Sequence, residues 1–182
     1  MGARMMCEFL LRQAETKTSA GWIFEASMHP VFHRGGSFKA TKLGGSTTIT
    51  TDIAQKSCKF FSKVLELGRL LRKESISSSI DPNIIGVYCR PRHCNFCSVD
   101  SFAITTSATT NKPVLVLFEM TVSTTHPVKA HRLASIWAEI PAELKKTPPI
   151  LLFVVPADAA NTFSRQTIGS SGSNTPNFDE WE

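Results

Sequence analysis

The chain has 182 residues, room for one domain with a sizeable core, and carries a net charge of +5 with a pI near 9.1. Hydrophobic residues make up 42% and charged ones 19%, a globular balance that excludes an intrinsically disordered chain. No run approaches the ~18 apolar residues of a membrane span, and five cysteines, an odd number, do not make a disulfide framework. Glu8 and Arg12 interrupt the apolar patch at Met5–Leu11, so the start does not read as a signal peptide. An intracellular location is expected, and the mild positive charge favours an acidic partner such as nucleic acid.

No internal repeat or linker divides residues 1–168, which are expected to form a single α/β domain, with a Ser/Gly/Asn-rich flexible tail over 169–182. Ser19 is placed to cap a helix carrying Trp22, Ile23, Phe24, Met28 and Phe32. Gly35-Gly36 would stop this helix and Pro30 would kink or split it. Residues 37–50 read as a hairpin about Gly44-Gly45. Lys59–Phe61 suits a short strand, Val64–Arg72 a helix, and Glu74–Pro82 a polar connection. Three strand-length apolar runs follow, at Ile84–Cys89, Val99–Ile104 and Pro113–Val122. Pro127 is expected to open a helix whose Leu133, Ile136, Trp137 and Ile140 face a sheet. Ile150–Val155 then predicts a buried strand, and Ala157–Phe163 a short helix.

The two strands around the polar segment Thr105–Lys112 place two acids together. Symmetric pairing about that segment sets Asp100 across from Leu117, with Glu119 its diagonal neighbour on the same face. A shift of two residues sets Asp100 directly opposite Glu119, with Cβ atoms ~5 Å apart. Thr121 shares this face in either register, while Val114, Val116, Phe118, Met120 and Val122 form a wholly apolar opposite face. Two carboxylates held together repel unless a proton or a cation lies between them. A Mg²⁺ ion would satisfy both and activate water against a phosphodiester. Lys129, four residues before Leu133 on the stripe that packs toward the sheet, is a candidate for the positive charge such chemistry needs. Its alternative role is a solvated lysine at the helix edge.

The segment Asn95-Phe96-Cys97-Ser98-Val99-Asp100-Ser101-Phe102, with Leu117-Phe118-Glu119-Met120-Thr121-Val122-Ser123 and His126-Pro127, resembles the C-terminal domain of Crinkler effectors and, equally, retrotransposon hot spot proteins. Phe24-Glu25, His29, Gly35-Gly36-Ser37-Phe38, Phe153-Val154-Val155-Pro156, Phe163 and Gln166 extend the resemblance over residues 21–166. Those domains are considered relatives of the PD-(D/E)XK restriction-endonuclease fold. The resemblance therefore implies a restriction-endonuclease-like core, a mixed central sheet flanked by helices, and effector-type action that includes the nucleus. It further implies an acid on the first helix, an acid on the first hairpin strand, and an acid-x-lysine on the second. Carried over, these are Glu25, Asp100 and Glu119, with Thr121 where the lysine is expected. A hydroxyl cannot carry that charge, so Lys129 or another cation has to replace it.

Other signals carry less. Cys89, His93, Cys94 and Cys97 hold one C-x-x-C but no second ligand pair, so structural zinc is not expected. His126 suits a turn cap or a phosphate contact, and His29 lies one helical turn from Glu25. Arg34, Lys39, Lys42, Lys56, Lys59, Arg90 and Arg92 scatter positive charge without the aromatic interleaving of a base-stacking surface. Neither a P-loop nor a G-x-S-x-G is present. Three readings follow: a Mg²⁺-dependent nuclease on DNA, a catalytically inactive module that keeps the nuclease fold, and a remnant of a larger transposon-related protein.

Overall fold

The computed structural model describes residues 17–41, 43, 48–53, 59–61, 84–91, 99–107, 110–142, 144–166 and 168–169. Helix α1, Lys17–His33, buries Ala20, Phe24 and Phe32. Ser19 lies inside its first described turns, not at a cap, and Pro30 neither ends nor splits it. The carbonyl deprived of a partner by Pro30 belongs to Ala26, and both residues are exposed, where water can satisfy it. Gly35 closes the turn after the helix with φ 74°, a conformation open to glycine.

Strands β1 (Gly36–Thr41) and β2 (Thr48–Ile53) pair antiparallel in a register symmetric about Gly44-Gly45, the expected turn, which lies outside the described residues. The expected helix at Val64–Arg72 and the connection at Glu74–Pro82 also lie outside them.

The main sheet is mixed, in the order β3-β4-β5-β6-β8. Its strands are β3 (Lys59–Phe61), β4 (Tyr88–Pro91), β5 (Ser101–Thr106), β6 (Pro113–Met120) and β8 (Ile150–Val154). Strand β4 starts later than the apolar run suggested. Ile84 and Ile85 form a turn at Gly86, whose φ of 77° no β-branched residue tolerates and whose N–H donates to the Ile104 carbonyl. Strand β8 is half-buried rather than buried, because it is the sheet's edge.

Period-two alternation along β6 builds two cores. Val116, Phe118 and Met120 meet Phe24 and Phe32 of α1 together with Ile53 of β2. Leu115 and Leu117 meet Leu133, Ile136 and Ile140 at and just beyond helix α2 (Ala130–Glu139). Each such side chain contributes about 1.5–3 kcal/mol on burial. The sheet is thus covered on one face by α1 and the hairpin and on the other by α2, an α/β arrangement with a crossover between parallel β6 and β8.

Helix α2 begins at Ala130, not at Pro127. Val128–Lys129 instead form β7, paired in parallel with β9 (Ile168–Gly169), so Gly169, expected to begin the tail, holds a backbone partner. Residues 157–163 are successive turns closed on Pro156 and Ala159, not a helix. Among the described residues no helix is long and apolar enough to cross a membrane.

Candidate functional site

An open cleft of about 850 Å³ lies where β6 ends, between the N-terminal half of α1, the residues before β5 and the segment leading to α2. Glu25, Asp100, Glu119, Thr121 and Lys129 all line it, so every candidate residue reaches one place. Open α/β sheets bind ligands at the carboxyl ends of their parallel strands, which is where β6 and β8 stop.

Asp100 and Glu119 are brought together by register. Strand β5 pairs with β6 as Ser101↔Phe118 through Thr106↔Pro113, and the Asp100 N–H donates to the Phe118 carbonyl at 2.8 Å. That is the shifted register, with Asp100 directly beside Glu119. Thr105 and Thr106, both β-branched, extend the first strand into what reads as loop, and the pairing moves by two residues.

Asp100 Oδ2 accepts the Met120 N–H at 2.5 Å. Burial, reinforced by the neighbouring Glu119 charge, pushes its carboxyl up to about 8 despite that hydrogen bond. Burial likewise raises Glu119, which is 6% exposed. Glu119 Oε1 lies 2.5 Å from His126 Nε2, whereas Oε2 is buried and makes no hydrogen bond among the described residues. The hydrogen bond to Glu119 in turn raises His126.

His126 is the residue that sequence reasoning set aside. Its backbone N–H donates to Gln166 Oε1 at 2.5 Å, and Gln166 Nε2 donates to the carbonyls of Thr124 and Ser164. The Phe153 ring meets the imidazole edge to face at 6.4 Å, and Phe163 tilts against Phe153 at 5.3 Å. The sequence signal was the His126-Pro127, Phe153, Phe163 and Gln166 set within the resemblance.

Glu25 enters from α1. Its Oε1 faces His29 Nε2 at 3.2 Å, and His29 Nδ1 lies 2.7 Å from the Tyr88 hydroxyl, which donates to Ser101 Oγ at 2.6 Å. A buried polar chain therefore joins α1 to β4 and β5.

Thr121 is buried, and its hydroxyl accepts the Ser123 N–H at 3.0 Å, which fixes the turn after β6. Lys129 reaches the cleft from extended backbone, φ −85° and ψ 103°, rather than from the first turn of a helix. Arg132, three residues on, is a second cation there and was not singled out from the sequence. Of the scattered basic residues, Arg34, Lys39 and Arg90 do not line the cleft, and Lys42, Lys56 and Arg92 lie outside the described residues. Cys89 is a buried core residue, while His93, Cys94 and Cys97 lie outside the described residues.

The donor set suits magnesium better than zinc. No group of three or more His, Cys, Asp or Glu is gathered for a metal among the described residues. Magnesium, however, takes one or two carboxylates and completes its shell with water. Glu119 Oε2, buried and unpartnered among the described residues, would offer one such oxygen, and the neighbouring Asp100 carboxyl a second. No protein-family model, curated protein or solved structure matches this chain.

Proposed function

We propose that the cleft is the active site of a Mg²⁺-dependent nuclease-like domain that acts on DNA phosphodiesters, built on a restriction-endonuclease-like core of the Crinkler and retrotransposon hot spot type. The observation that carries this reading is Asp100 beside Glu119 at a strand end, with one carboxylate oxygen buried and unpartnered. Asp100 and Glu119 would hold the magnesium, which when bound supplies a Lewis acid and an acidified water.

The protein's own residues do the remainder. Glu119 holds the His126 imidazole at the cleft wall, where it would serve as a proton donor or acceptor. Lys129 and Arg132 bring positive charge to phosphate in a cleft that otherwise concentrates acids. Glu25, fixed by His29, adds a third carboxylate.

Thr121 favours a second reading, a module that binds nucleic acid without cutting it. Its hydroxyl serves a turn at the position where the resemblance places a lysine. Nicking of supercoiled plasmid separates the two. The nuclease reading expects Mg²⁺-dependent nicking that Asp100→Ala abolishes. Folded wild-type protein that never nicks at any Mg²⁺ concentration, or nicking that Asp100→Ala leaves unchanged, overturns it.

A further inference from the structure

We infer that Trp22 is a stacking platform for an unpaired base, so that the preferred ligand of the cleft is single-stranded nucleic acid. This deepens the nucleic-acid reading of the same cleft and rests on it.

Helix α1 buries its other large aromatics, Phe24 and Phe32, yet Trp22 is 63% exposed. It is the exposed large hydrophobic side chain of the described residues. A single exposed apolar residue is ordinary on a protein surface. Trp22 differs in its position. Thr18, Trp22 and Glu25 recur at helical spacing, and all three line the cleft that also contains Asp100, Lys129 and Arg132. The indole therefore stands on the wall of the acid-lined cleft, one turn of helix from Glu25, with two cations in the same cavity.

Aromatic faces and a positively charged track together are what binds single strands without sequence preference. Inside a duplex both faces of each base are already occupied, so a fixed indole can stack only on a base that is unpaired, frayed or turned out. Lys129 and Arg132 supply the phosphate contacts that such a strand needs. The sequence hides this arrangement because Trp22 and the two cations are far apart along the chain.

The test is fluorescence anisotropy of the full chain with a labelled 20-nucleotide oligothymidine and with a labelled 20-base-pair duplex, in EDTA so that nothing is cut. Wild type is expected to bind the single strand several-fold more tightly than the duplex. Trp22→Ala should weaken single-strand binding by about tenfold and leave duplex binding unchanged, and Trp22→Phe should restore most of the loss. As a surface substitution it should leave the melting temperature in place. Trp22→Ala binding both ligands as wild type does overturns the inference, even if Asp100→Ala abolishes nicking. The expected binding pattern in a protein that never nicks overturns the nuclease reading and leaves the stacking role standing.

Discussion

Asp100 Oδ2 accepts the Met120 N–H at 2.5 Å, so one acid is anchored on the backbone of the strand that carries the other. The anchor fixes the carboxyl where water is scarce and Glu119 is near, and its proton affinity rises to about 8 from an ordinary 3.8. Between those values the folded protein holds a proton that the unfolded chain has lost, so stability falls as pH rises. His126, raised above 6.5, acts in the same direction, since its contribution is complete below that value and is lost as pH climbs through the folded one. The metal-free protein should therefore melt at a higher temperature at pH 5 than at pH 8. Asp100→Asn should narrow the gap. An equal gap in the variant sinks the assignment.

A second prediction concerns magnesium. Near pH 7 Asp100 is largely protonated, so an ion held by Asp100 and Glu119 must displace that proton. Titration calorimetry in two buffers of different ionisation enthalpy should report release of about one proton per ion at pH 7 and much less at pH 9. Identical heats in both buffers at pH 7 count against this pair as the ligands.

A third concerns the pair at 2.5 Å between Glu119 and His126. His126→Ala leaves a largely buried carboxylate without its partner and should cost about 1–2 kcal/mol, kept low because the imidazole side chain is 35% exposed. Combining it with Glu119→Gln should recover part of that loss, because the amide needs no counter-charge. Denaturant unfolding of both single variants and the double variant gives the coupling, and strict additivity would show that the two side chains do not interact.

The buried chain from Glu25 through His29 and Tyr88 to Ser101 makes a fourth. Tyr88→Phe keeps the ring against Phe32 and Phe118, at 5.6 and 5.9 Å, and removes only the hydroxyl. His29 and Ser101, 3% and 0% exposed, then lose a partner in the interior, at a cost of about 1–3 kcal/mol. Thermal melting that matches wild type would show that this bond contributes nothing.

What could be read from the sequence divides by the range of the interactions involved. Alternation along Pro113–Met120 and the Leu133–Ile136–Ile140 stripe are local periodicities, and they located the strand, the helix and the two faces correctly. The shared face of Asp100 and Glu119 was equally legible, but the register depended on where the loop began, and Thr105 and Thr106 belong to the strand. Pro127 is a good helix opener by local rules, yet Val128 finds Ile168 and starts a strand instead. His126 gains its orientation from Gln166, Phe153 and Glu119, and Trp22 gains its meaning from Lys129 and Arg132. No local pattern reports such encounters.

The pairing of Val128–Lys129 with Ile168–Gly169 bears on where this chain can be trimmed. A cut placed just after Gln166, shortly before the Ser/Gly/Asn-rich segment that starts at Gly169, takes away the strand that holds the entrance to helix α2. The backbone carrying Lys129 would lose its ladder, and the cleft would lose support for a wall built from residues some forty positions earlier in the chain. A shortened protein that binds poorly would then report a missing brace rather than a missing ligand site, whereas one ending beyond Gly169 keeps both.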